Sequence, residues 1–170
     1  MRCAVRSPSV CSIPGATLPE EARQRIVLLV GLPGSGKSTW AAQQGISPLS
    51  SDHVRELLAD DATDQTIHAR VFGTLRYLLR QRLAVGRPVT YVDATHLTRV
   101  ERKPYVEIAQ WYGCDLEALV FDVPVEVCIE RNRGRARVVP EEAIRSMAEK
   151  LRIPTEEEGF RSIQIIRGDS

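Results

Sequence analysis

From residue 25 onward the apolar positions of this chain alternate between two rhythms. Short unbroken runs rich in Val, Ile and Leu, beginning with Ile26 to Val30, have the length and β-branched content of buried strands. Further strand candidates are Pro48 to Ser51, Val89 to Val92, Leu116 to Phe121 and Ser162 to Ile166. Between them the apolar spacing stretches to a helical period, predicting helices over Lys37 to Gln43, His53 to Leu58, Gln65 to Val85, Arg99 to Tyr112, Val125 to Arg133 and Glu141 to Leu151. The helix from Gln65 has the clearest signal. Ile67, Val71, Phe72, Leu75, Leu78, Leu79 and Leu83 recur at helical intervals, and Arg70, Arg76, Arg80 and Arg82 among them read as a solvated face. Trp111 and Tyr112 close the next helix before Gly113 and are expected to serve as packing or a helix-end contact rather than a base-stacking platform. Strands alternating with helices predict an α/β fold, a three-layer sandwich around a mainly parallel sheet.

Composition narrows this reading. The chain has 170 residues, 43% hydrophobic and 26% charged, without an internal repeat, which suits one domain with a proper core over residues 25–170. Met1 to Gln24 is rich in Ser, Pro and Cys with no periodic apolar pattern, and is expected to be a flexible leader. A formal net charge of +1 rules out the general basic field of a protein that coats nucleic acid, so any polynucleotide contact must be local. Cys3, Cys11, Cys114 and Cys128 form no C-x-x-C pair, and nothing resembles a secretory signal or a membrane span. These features predict a reducing, cytoplasmic setting.

One octapeptide carries most of the chemical information. Gly31-Leu32-Pro33-Gly34-Ser35-Gly36-Lys37-Ser38 fits the phosphate-binding loop G-x-x-x-x-G-K-[ST], and Ile26 to Val30 supplies the strand that must precede it. Backbone N–H groups can wrap a triphosphate only where side chains leave the approach clear, a condition met by Gly31, Gly34 and Gly36. Contacts to ATP are therefore expected from Gly31, Pro33, Gly34, Ser35, Gly36, Lys37, Ser38 and Thr39, with Lys37 on the β- and γ-phosphates and Ser38 on Mg²⁺.

Residues just beyond the carboxyl ends of parallel strands are the next place for function. Asp52 and Asp93 both fall there, and either could simply cap a helix or turn. Beside a phosphate loop a second reading opens, because a kinase needs one carboxylate for the acceptor's proton and another near the metal. Asp52, three residues before Arg55, is the stronger base candidate, and Asp93 the one that supports Mg²⁺ through water. A third cluster is Arg131-Asn132-Arg133-Gly134-Arg135-Ala136-Arg137, four arginines within seven residues between two helical segments. Such a run can be a solvated loop, but its place in a helix–loop–helix fits an arginine-bearing lid over transferring phosphate. Arg131 and Arg135 are expected to make these contacts, and whether Arg133 or Arg137 joins them stays open. His96 reads as a polar loop residue, since His53 and His68 share no metal-ligand spacing with it.

Gly31-Leu-Pro-Gly-Ser-Gly-Lys-Ser-Thr-Trp40, Ser50-Ser-Asp-His-Val-Arg55, Val92-Asp-Ala-Thr-His96 and Cys128-Ile-Glu-Arg-Asn-Arg-Gly-Arg135 together resemble the 5′-OH polynucleotide kinase family of P-loop phosphotransferases. The likeness is to kinase modules of bacterial RNA repair that work alongside phosphatase and ligase modules. It runs from about Arg25 to Gly168, including Asp60-Asp61-Ala-Thr-Asp-Gln65. The resemblance implies a P-loop kinase fold with a helical lid, and transfer of the ATP γ-phosphate to a 5′-OH end of RNA or DNA. It also implies Asp52 as general base, Arg55 on the acceptor's 3′-phosphate, Asp93 nearby, and Arg131 and Arg135 on the donor. Phosphatase and ligase modules would lie on the same or other chains. Two departures stand out: His96 occupies a position that is commonly Asn in the family, and the third lid arginine is shifted by one. No aromatic-rich stacking surface or reader of a 2′-hydroxyl is evident, so RNA is not separated from DNA. A small-molecule kinase of the same fold, or an ATP-binding switch module without catalysis, would share the phosphate loop.

Overall fold

A computed structural model describes residues 23–135 and 137–168. The expected leader falls outside them except for Arg23 and Gln24, and Gln24 is held by the fold, its amide donating to the Leu83 and Arg87 carbonyls at 3.0 and 2.9 Å. Five strands, β1 (Arg25–Val30), β2 (Leu49–Ser50), β3 (Val89–Asp93), β4 (Asp115–Asp122) and β5 (Ser162–Arg167), form one sheet in the order β2-β3-β1-β4-β5. Every pairing is parallel. Among the described residues six α-helices connect them: α1 (Lys37–Gln43), α2 (Ser51–Ala59), α3 (His68–Ala84), α4 (Arg99–Tyr112), α5 (Val125–Arg133) and α6 (Glu141–Lys150).

Strand alternation builds the layers. Ile26, Leu28 and Val30 of β1 face a core shared with Val71, Leu75, Leu79 and Leu83 of α3 and with Tyr105 and Ile108 of α4. Val27 and Leu29 point the other way, toward Ala41 of α1 with Leu119 and Phe121 of β4. A smaller core joins Leu32 of the phosphate loop and Leu97 to Cys128 and Ile129 of α5 and Ile144 of α6, so the helical lid is rooted in the loop that it covers.

Most predicted elements form, with instructive differences. Helix α3 starts at His68 rather than Gln65, because Asp61 takes the Thr63 N–H and hydroxyl at 2.7 and 2.6 Å and Asp64 does the same for Thr66 at 2.8 and 2.6 Å. Those side-chain turns compete with a helical start. Helix α2 begins earlier than expected, at Ser51, and the second strand is only two residues long. Trp111 is not packed; it is 87% exposed. Gly113, at φ 64°, ends α4 as the sequence predicts. His96 lies in the loop after β3 as expected, but it is buried there, 1% exposed. Its φ of +49° lies in the left-handed region, where Asn and His are among the few non-glycine residues found with any frequency. No helix among the described residues is long and apolar enough to cross a membrane.

Candidate active site

Sheet register assembles the site. Leu29 and Ser50 both pair with Asp93, so Gly31, Asp52 and Asp93 leave the sheet at the same edge, on three adjacent strands. A cleft of about 920 Å³ opens there and is lined by Pro33 to Thr39, Asp52, Arg55, Asp93, Arg131, Arg135 and Arg137. Each expected site residue lines it except Gly31, which lies beneath the loop and offers its carbonyl to Lys37. Among the charged side chains of this lining, five are cationic and two are carboxylates, an imbalance suited to a polyanion.

Glycine is required in the loop for two different reasons. Gly34 has φ +84°, and a Cβ there would run into the Cys128 carbonyl, so helix α5 can approach only a bare backbone. Gly36 has φ +94° with nothing within 4 Å of its missing side chain, which makes it a conformational requirement that also leaves the cradle open. Lys37 folds back over the loop, donating to the Gly31 and Leu32 carbonyls at 2.8 Å each and to the Ser35 hydroxyl at 3.4 Å. Burial lowers its pKa to about 8; Asp93 works against this shift and Arg135 reinforces it. An ammonium so placed needs a stronger anionic partner than carbonyls provide.

The Ser38 hydroxyl donates to Asp93 at 2.8 Å. This hydroxyl and carboxylate form a hard oxygen donor pair at the foot of the cradle, which fits Mg²⁺. Two protein oxygens leave most of the coordination shell of such an ion to phosphate oxygens and water, as Mg²⁺ prefers.

Neither aspartate is a helix cap. Ser50 caps α2 by accepting the His53 N–H, and Thr98 caps α4 by accepting the Glu101 N–H. Asp52 instead receives the Arg55 guanidinium at 3.0 Å and that of Arg137 from the lid loop. Arg55 is 3% exposed, and its Nε–H is buried without an acceptor. A buried guanidinium with an unfilled donor is costly unless an anion completes it.

The arginine run divides by geometry. Arg131 and Arg135 line the cleft, whereas Arg133 turns to Glu130 and Glu141 at 2.9 and 2.7 Å on the exposed side. Of the two residues left open by the sequence, Arg137 is the one in the site. Asn132, absent from the expected set, is fully buried and holds the loop by donating to the Val139 carbonyl at 2.7 Å and accepting its N–H at 3.1 Å. Its signal was an amide amid guanidiniums, which charge counting overlooks. The α2–α3 connection also reaches the cleft through Thr63 and Gln65, and the first turns of α3 through His68 and Phe72, which lacked a chemical signature in the sequence.

This fold and loop define a P-loop kinase domain. The chain belongs to the AAA domain family, whose profile matches residues 26–154. It is 27% identical over 146 residues to the bifunctional polynucleotide phosphatase/kinase of Schizosaccharomyces pombe, covering 83% of this chain and 33% of that protein. It is 26% identical over 170 residues to transcription factor bHLH140 of Arabidopsis thaliana, covering 92% of this chain and 17% of the other. To the L-seryl-tRNA(Sec) kinase of Methanococcus maripaludis it is 25% identical over 138 residues, 76% of this chain and 53% of that one. The chain thus spans about half or less of each relative's length. In structure it matches a chain of the Pnkp1/Rnl/Hen1 RNA repair complex with a TM-score of 0.66 at 23% identity, covering 81% of this chain and 47% of that one, a shared fold.

Proposed function

We propose that this protein is an ATP-dependent polynucleotide 5′-hydroxyl kinase, acting on the 5′-OH end of RNA or DNA in nucleic-acid end repair. The observation that carries the reading is Arg55, a buried guanidinium with an unfilled donor beside Asp52 in the cleft of the phosphate loop. An acceptor that presents a hydroxyl to Asp52 and a phosphate to Arg55 is a 5′-terminal nucleotide. A neutral sugar or nucleoside offers the guanidinium no anion. Similarity to the S. pombe phosphatase/kinase supports the same substrate class.

In this reading the loop N–H groups and Lys37 bind the ATP phosphates, and Lys37 exchanges the Gly31 and Leu32 carbonyls for the β- and γ-oxygens. Mg²⁺, bound at Ser38 with Asp93 supporting it, would neutralise phosphate charge. Asp52 takes the proton of the 5′-hydroxyl as its oxygen attacks the γ-phosphorus, and the bond to the β-phosphate oxygen breaks with its electron pair leaving on ADP. Arg131 and Arg135 accompany the charge on the transferring group. Arg137 must release or share Asp52 when the acceptor arrives.

The test is γ-labelled ATP with a 5′-OH oligonucleotide, a nucleoside 3′-monophosphate and the bare nucleoside. Transfer should favour the 3′-monophosphate over the nucleoside by about ten- to a hundredfold in kcat/KM, the worth of one charge-assisted hydrogen bond, and Arg55→Ala should erase most of that preference. Equal use of both acceptors would point to a small-molecule kinase, and ATP binding without transfer to any of them to a switch module.

A further inference from the structure

The cleft that holds the acceptor carboxylate also carries a feature that the phosphate chemistry leaves unused. His68 and Phe72, one helical turn apart at the start of α3, lie in tilted ring contact, with centroids 4.6 Å apart and planes at 39°. Phe72 is half-buried and packs on the main core, whereas His68 is exposed, and both line the cleft that holds Asp52 and Arg55. Helix α3 leads into β3 at the amino edge of the sheet, so its own amino end lies at the carboxyl edge with the phosphate loop. The ring pair is well braced. The segment before it is tied by the two side-chain turns at Asp61 and Asp64, and Val71 and Leu75 behind it are fully buried.

We infer that the His68–Phe72 pair is a stacking platform for the nucleobase of the acceptor's 5′-terminal nucleotide. The inference rests on the polynucleotide kinase reading above and adds the base to the groups that are recognised. Asp52 addresses the hydroxyl, Arg55 the following phosphate, and the sugar between them carries a base that must lie near one wall of the cleft. The exposed His68 ring, supported in tilted contact by a ring anchored in the core, offers that base a flat face. A flat face tolerates any base, since all have a π surface, so the platform would distinguish nucleotides from smaller acceptors without reading sequence. Trp111 could not serve, because α4 follows β3 and ends at Gly113, just before β4 begins, at the opposite edge of the sheet.

The test compares two oligonucleotide acceptors, one with an ordinary 5′-OH nucleotide and one whose 5′-terminal residue is abasic. The unmodified protein should favour the base-bearing end by about tenfold or more in kcat/KM, expressed mainly in KM. His68→Ala should bring the two acceptors together with the KM for ATP unchanged, and His68→Tyr, which keeps a ring, should restore the preference. As a readout independent of turnover, 2-aminopurine at the 5′ end should be quenched on binding to the unmodified and His68→Tyr proteins and far less by His68→Ala. If the unmodified protein phosphorylates the abasic end equally well, or if His68→Ala keeps both preference and quenching, the platform is wrong while the kinase reading stands. If neither oligonucleotide is phosphorylated, the kinase reading falls and the inference falls with it.

Discussion

The two aspartates of the cleft look alike in sequence and are separated by their partners. Asp93 holds the Ser38 hydroxyl at the foot of the phosphate cradle, and Asp52 is gripped by Arg55 and Arg137. Asp52→Asn keeps size and polarity but cannot take a proton, so phosphoryl transfer should fall by about a hundred- to ten-thousandfold with ATP affinity little changed. Asp93→Asn should instead shift the magnesium dependence to higher concentration, and a magnesium titration of the two variants distinguishes these roles. If the Asp52→Asn defect disappeared with added magnesium, its assignment as base would be lost. Lys37 supplies a second residue-scale expectation. Burial lowers its pKa to about 8, so Lys37 loses its proton increasingly above that pH, and a bound triphosphate would raise the pKa again. ATP binding should therefore take up protons above pH 8 and weaken as pH rises. Calorimetry at pH 8.5 in two buffers of different ionisation enthalpy measures the uptake, which Lys37→Met should remove.

At the scale of elements, the lid loop makes a prediction that charge counting does not. Arg131→Ala and Arg135→Ala should reduce turnover by about a thousandfold, Arg131→Lys should recover little of it, and Arg133→Ala should stay near the unmodified rate. A loss on Arg133→Ala equal to the other two would mean that the run acts only through its total charge. Such distinctions mark the limit of sequence reading. The phosphate loop was legible because glycine spacing, the Lys-Ser pair and the preceding strand report one local structure. The apolar period placed α3, α4 and β1 for the same reason: burial on one face imposes it. The amino end of α3 was not legible, since Asp61 and Asp64 divert the backbone through side-chain hydrogen bonds that leave no periodic trace. The roles of Arg133, Arg137 and Asn132 depend on Glu141, Asp52 and Val139, residues up to 85 positions distant, and no local pattern encodes those partners. The place of Trp111 before Gly113 predicts packing or a helix-end contact, yet the ring stands exposed at the end of α4.

Across the whole molecule, the loop after β3 connects site and scaffold. Arg102, fully buried, donates to the His96, Leu97 and Arg152 carbonyls at 2.9, 3.2 and 2.9 Å and grips Glu158 through two hydrogen bonds of 2.9 and 2.7 Å. It thereby joins the loop that follows Asp93 to the segment leading into β5. Breaking such a pair strands a buried charge, so Glu158→Gln should cost about 3–5 kcal/mol and lower Tm by about ten degrees. His96, in the same loop, gives the fold a pH limit. Its Nδ1–H donates to the Leu29 carbonyl at 3.0 Å, Nε2 is buried without a partner, and the Tyr105 ring meets it edge-on. Burial lowers its pKa from 6.5 to about 4, and the cations Lys37 and Arg102 push the same way. Between those values the unfolded chain binds a proton that the folded one does not. Stability should therefore fall as pH drops from 6.5 toward 4, by about 3 kcal/mol from this group at 1.36 kcal/mol per unit. Below pH 4 both states are protonated and this contribution levels off. His96→Asn tolerates the left-handed backbone and has no proton to gain, so it should flatten that acid limb even if the smaller side chain costs stability at pH 7. Urea midpoints at pH 7 and pH 4.5 make the comparison. If the two proteins lost the same stability between these pH values, acid sensitivity would have to come from the carboxylate pairs instead.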